Sequence, residues 1–144
     1  MESLTNPKQS LAMLLIEDEE VTIELLSIVL NKKFPDLVLH TAANGRMGLE
    51  LYKTYSPDIV ITDINMPDMD GVETAEIIRS IRPAAQIIVI TGRNRDLLVQ
   101  DSIKKGVVFD HFIVKPVVFQ ELFEAIEQCL RDISNRPERQ SGQV

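Results

Sequence analysis

Ile59-Val60-Ile61-Thr62-Asp63-Ile64-Asn65-Met66-Pro67-Asp68-Met69-Asp70-Gly71 is the stretch on which the fold turns. It begins with an apolar run rich in β-branched residues, the pattern of a buried strand. The run stops at Asp63, so a carboxylate stands where a hydrophobic strand ends. Pro67 and the pair Asp70-Gly71 punctuate a loop. Helical spacing follows at Val72, Ala75, Ile77, Ile78 and Ile81. In open parallel α/β sheets, ligands bind just outside the carboxyl ends of the strands. Asp63 is thus placed where chemistry is done, although a lone acid at a strand end is also an ordinary turn former.

The same alternation extends in both directions. Ala12-Met13-Leu14-Leu15-Ile16 reads as a first buried strand, ending at Glu17-Asp18-Glu19-Glu20. A helix follows to about Lys33, with Ile23, Leu26, Val29 and Leu30 at helical spacing. Val38 to Ala42 is a second strand containing His40. Asn44 is positioned to cap a helix that carries Leu49, Leu51 and Tyr52 and closes at Ser56-Pro57-Asp58. Beyond the central stretch, Arg82-Pro83 stops the third helix. Ile87 to Ile90 is a fourth strand, ending at Thr91-Gly92. Residues 94–105 form a helix with a weak apolar face of Leu97, Leu98, Val99 and Ile103, ended by Gly106. Phe112 to Val114 is a fifth strand, ending at Lys115-Pro116. The last helix runs from about Phe119 to Ile133.

Five strands alternating with five helices, with short connections, predict an α/β domain with one parallel sheet covered on both faces. The expected boundaries are a loose lead-in at 1–11, the domain at 12–133, and a polar tail or the start of a linker at 134–144.

Composition narrows the function. The 144 residues include 22 acidic and 15 basic side chains, a net charge of −7. That balance argues against direct nucleic-acid binding and suits a divalent cation or a basic partner face. Cys129 is the only cysteine, which excludes an internal disulfide and a cysteine zinc cluster. It falls on the apolar face of the last helix and reads as buried. His40 and His111 read as a strand residue and a loop residue rather than metal ligands. No apolar run approaches ~18 residues, and the N-terminus lacks signal-peptide character. No membrane association and a cytoplasmic location are expected.

Polar groups stand at four strand ends: Glu17 and Asp18, Asp63, Thr91, and Lys115. A parallel sheet brings these ends to one rim. Like charges packed together cost stability unless something neutralises them. Mg2+ suits such a site, because it prefers oxygen ligands and is typically held by one or two carboxylates plus a phosphate.

Taken in order, Leu14-Leu15-Ile16-Glu17-Asp18-Glu19, Asp63 through Gly71, Thr91-Gly92 and Lys115-Pro116 closely resemble the receiver domains of two-component response regulators. The resemblance spans roughly residues 12–133. It implies a flavodoxin-like (βα)5 doubly wound fold, with strand order 2-1-3-4-5. It further implies a signalling phosphoacceptor rather than an enzyme. Asp63 would accept a phosphoryl group from a phosphohistidine on a sensor histidine kinase or histidine phosphotransfer protein. Asp18, Asp63 and the backbone carbonyl of Asn65 would hold Mg2+, with Glu17 assisting directly or through water. Lys115 and Thr91 would bind the phosphoryl oxygens, and Thr91 and Phe112 would form the switch. A cis Lys115-Pro116 bond would aim the ammonium inward. The face made by helix four, strand five and helix five would change on phosphorylation and carry a partner or homodimer contact.

The sequence departs from the family pattern in three places. Glu17 stands where many members have aspartate. Phe112 replaces the more usual tyrosine. The connection from Gly106 to Phe112 is about two residues longer than usual. Other readings make different demands. A dehalogenase-like phosphatase needs a second aspartate where Asn65 stands. In a flavodoxin, Glu17-Asp18-Glu19-Glu20 would repel the flavin phosphate. The remaining alternatives are an interaction module that is never phosphorylated and a segment of a larger hybrid kinase or multidomain regulator.

Overall fold

A computed structural model describes residues 10–66, 69–92 and 95–136, with the backbone alone for residues 95, 96, 98, 99 and 101. Its elements are β1 (Ala12–Ile16), α1 (Glu20–Lys33), β2 (Val38–Ala42), α2 (Gly45–Tyr55), β3 (Ile59–Asp63), α3 (Gly71–Ile81), β4 (Gln86–Thr91), α4 (Arg95–Lys105), β5 (His111–Val114) and α5 (Phe119–Ser134). The strands form one parallel sheet in the order β2-β1-β3-β4-β5, as expected. β1 and β3 are neighbours at the centre, where the direction of winding reverses. The crevice above them is the natural ligand position.

Alternation along the strands divides the core in two, because successive side chains point to opposite faces. Leu14, Ile16, Val60, Ile87 and Val89 meet residues of α2 and α3 on one face. Met13, Leu15, Ile59, Ile61, Ile88 and Ile90 meet α1 and α5 on the other. Leu26 and Leu30 of α1 are fully buried there, each contributing roughly 1.5–3 kcal/mol. Cys129 is also buried, and burial pushes its thiol up to about 12, so it is an inert core residue.

Several local expectations need adjusting. Ile81, spaced as a core residue, is 45% exposed in the last turn of α3. Thr74, in the first turn, is buried although polar, with its hydroxyl bonded to the Asp70 carbonyl. His111 is the first residue of β5, not a loop residue. Asn44 caps α2 through a bond from the Met47 amide to its side chain, as the sequence predicts. On α4, Leu97 and Ile103 are exposed, in keeping with a weak apolar face. The side chains of Leu98 and Val99 lie outside the described residues, as do Pro67, position 94, most of the lead-in (1–9) and most of the tail (137–144).

α4 ends in a Schellman turn. The Val107 amide donates to the Ser102 carbonyl and the Gly106 amide to the Ile103 carbonyl. Gly106 has φ +72, which a residue without Cβ adopts at no steric cost.

Candidate functional site: an acidic rim with one lysine

Asp63 and Thr91 are the last residues of β3 and β4, and Glu17 and Lys115 lie one step past the regular ladders of β1 and β5. The Glu17 amide bonds the Ala42 carbonyl, extending β1 along β2, and the Ile64 amide bonds the Ile90 carbonyl, extending β3 along β4. The Lys115 amide bonds the Thr91 carbonyl, extending β5 along β4. Asp63 is therefore fixed by pairing on the strand itself, and it is almost completely buried.

The loop after Asp63 is closed from within. Asp63 Oδ1 accepts the Asn65 amide at 3.1 Å, so the turn-forming role of this acid is also real. The Gly71 amide returns to the Ile64 carbonyl, and Asp70 Oδ1 caps α3 by accepting the Glu73 amide at 2.8 Å. A Cβ on Gly71 would lie 2.6 Å from the Asp63 carbonyl oxygen and 2.8 Å from Ile64 Cα, both backbone atoms that cannot swing away. Gly71→Ala is expected to lower stability by about 1–3 kcal/mol in chemical denaturation and to impair any activity of Asp63. An unchanged denaturation midpoint would mean that this approach is looser than described.

The structure brings Glu17, Asp18 and Asp63 together, with one carboxylate oxygen from each within 4.8 Å of the others. Lys115 Nζ lies 2.9 Å from Asp63 Oδ2, and the Lys115-Pro116 bond is cis. Burial alone would lower the lysine's pKa. The hydrogen bond and charge of Asp63, aided by Glu17 and Glu19, outweigh that and raise it, so the ammonium stays charged. Thr91 sits at the end of β4 with its hydroxyl buried and without a hydrogen-bond partner among the described residues. Asn65 is exposed just beyond Asp63. Phe112 is half-buried on β5 against the α2–α3 face of the core.

Glu17 is the surprise. Its sequence position suggested a rim acid, yet it is 1% exposed. Oε2 accepts the Glu19 amide at 3.1 Å, while Oε1 has no partner among the described residues. Burial pushes its pKa up to about 7; the Glu19 amide works against the rise and the Asp63 charge adds to it. A buried carboxylate oxygen without a donor is costly. A hard cation in the crevice would satisfy it, and an all-oxygen set of two or three carboxylates suits Mg2+. The residues present therefore fit that ion.

Residues 13–127 match the family described as the response regulator receiver domain. The chain belongs to that family. As a receiver, it is 34% identical over 118 residues to the chemotaxis protein CheY of Bacillus subtilis, spanning 82% of this chain and 96% of that protein. A signal receiver domain of an HD domain-containing protein from Pseudomonas fluorescens Pf-5 superposes with a TM-score of 0.79 at 27% identity, covering 88% of this chain and 98% of that one. A receiver domain protein from Clostridium thermocellum gives 0.75 at 26% identity, covering 86% and 97%. Receiver domains are signalling modules of two-component systems, which fixes the broad function of this chain. Among the described residues, no helix is long and apolar enough to cross a membrane.

Proposed function

We propose that this receiver is a phosphoacceptor in a two-component phosphorelay, with Asp63 taking a phosphoryl group from a phosphohistidine on a sensor histidine kinase or histidine phosphotransfer protein. The observation that carries this reading is the convergence of three carboxylates with one lysine whose ammonium already touches the accepting group. An Asp63 oxygen forms the new bond to phosphorus as the bond from phosphorus to the imidazole nitrogen breaks. The imidazole keeps the electron pair and later takes a proton from water. Such a transfer needs alignment and neutralisation of the equatorial oxygens more than covalent chemistry from the protein. Lys115 supplies a fixed cation for those oxygens. Thr91 supplies a hydroxyl that has no competing partner among the described residues. Mg2+, held by Asp18, Asp63 and the Asn65 carbonyl with Glu17 directly or through water, would neutralise further phosphoryl charge.

The donor's approach has a physical basis too. α1 exposes Val21, Leu25 and Ile28, spaced to share one helix face. Leu25 borders a groove of about 250 Å³ that also includes Glu17, Lys115 and Pro116. An apolar strip beside a groove that reaches Lys115, the ion-pair partner of Asp63, suits an apolar donor surface. On the output side, the phosphoryl group draws Thr91 toward it, Phe112 follows, and the face formed by α4, β5 and α5 changes its partner or homodimer contacts.

The chain incubated with acetyl phosphate and Mg2+ should gain one phosphoryl group, seen by intact mass, and should gain none after chelation. Uptake that does not depend on the metal would contradict the reading. Lys115→Ala should leave Mg2+ affinity intact while slowing uptake on the order of 10²-fold. Loss of metal affinity in that variant would argue against a lysine directed at the phosphoryl group.

A further inference from the structure

The connection between α4 and β5, longer than the family pattern, is not a loose surface loop. Val107 and Phe109 are 4% and 7% exposed, packed into the α2–α3 face of the core. Asp110 holds both backbone groups of Ile87. Its amide donates to the Ile87 carbonyl at 2.8 Å, and its Oδ2 accepts the Ile87 amide at 2.7 Å. The same Oδ2 accepts from Arg79 Nη2 at 2.8 Å. Arg79 also donates from Nε and Nη2 to the Val108 carbonyl, at 3.1 and 2.8 Å. Its Nη1 donates to the carbonyls of Pro83 and Ala85. One guanidinium thus joins α3, the exit from α3 and the α4–β5 connection. A lysine has no planar fork with which to replace it.

Phe109 lies between the two clamped residues Val108 and Asp110. Its ring centroid is 5.6 Å from that of Phe112, with the planes at 71°, an edge-to-face pair. Phe112 is in register with Val89 on β4, and Thr91 lies two residues further along that strand. Phe112 and Thr91 therefore share one face of the sheet.

We propose that Arg79 and Asp110 are positioning residues for Phe112, acting through Phe109, and that this clamp sets how readily phosphorylation moves Phe112. The inference rests on the phosphoacceptor reading and assigns its regulation to residues outside the acidic rim. Any contact that favours the present arrangement of Phe112 opposes a ligand that favours another. Loosening the clamp therefore tightens binding of a phosphoryl mimic, with no change at the groups that bind it.

The test uses the full chain with labelled phenylalanine rings, observed by NMR, and beryllofluoride with Mg2+ as the probe. Phe109→Leu keeps an apolar filler without the ring, and Arg79→Lys keeps the charge without the fork. Both should raise beryllofluoride affinity about two- to tenfold, the range that an aromatic pair spans. Both should also speed flipping of the Phe112 ring before the probe is added, with Mg2+ affinity unchanged. A merely structural clamp would lower stability and move neither readout, and that result would overturn the proposal. If Arg79→Lys does not fold, Asp110→Asn, which keeps an acceptor for the Ile87 amide, carries the same expectation. If the parent chain does not bind beryllofluoride, the phosphoacceptor reading fails. The ring-flip rates without probe then still decide the clamp, and unchanged rates overturn it.

Discussion

Asp63→Asn is expected to abolish phosphoryl uptake from acetyl phosphate, a loss of at least ~10³-fold in rate, because the amide cannot replace the carboxylate as nucleophile. The loss should not come from misfolding. Asp63 is one of three carboxylates whose oxygens lie within 4.8 Å of one another, so neutralising it relieves repulsion. Its partner Lys115 is 39% exposed in the side chain and stays solvated without the ion pair. The variant should therefore melt at or above the parent temperature in circular dichroism while taking up no phosphoryl group. Stoichiometric uptake by the variant would mean that another acid is the acceptor.

Asp18→Ala should weaken Mg2+ binding on the order of 10- to 100-fold, and Glu17→Gln should weaken it less. The two acids differ in environment. Asp18 is exposed and can meet an incoming hydrated cation. Glu17 is buried, one oxygen already accepts the Glu19 amide, and burial brings its pKa to about 7. Burial therefore favours the neutral carboxyl of Glu17 in the absence of the ion, and glutamine resembles that form. Isothermal titration with Mg2+ distinguishes the two, and a larger loss from Glu17→Gln would reverse the assignment of roles.

What the sequence revealed and what it hid have physical causes. The strands were legible because apolar, β-branched runs end abruptly at polar residues, and parallel pairing carries those ends to one rim. Asp63 and Lys115, 52 positions apart, could be brought together in advance for that reason. The Arg79–Asp110 clamp had no such signature. It joins a helix to a connection 31 positions away, and neither neighbourhood shows a pattern that demands a partner. The alternation of Val107 and Phe109 was the one available sign that the longer connection turns inward. The burial of Glu17 was hidden because a run of four acids reads as a solvated helix start. Ile81 misled in the opposite sense: its spacing is correct, but α3 carries it past the edge of the core in its final turn.

The central claim is that Asp63 is the phosphoacceptor, and reductive trapping tests it most directly. An acyl phosphate on aspartate is reduced by borohydride to homoserine, which marks the modified position in peptide mass spectra. Wild-type chain treated with acetyl phosphate and Mg2+ should yield homoserine at position 63 and nowhere else. Homoserine at position 18 or at any other aspartate, or none in a chain that has gained a phosphoryl group, would contradict the assignment.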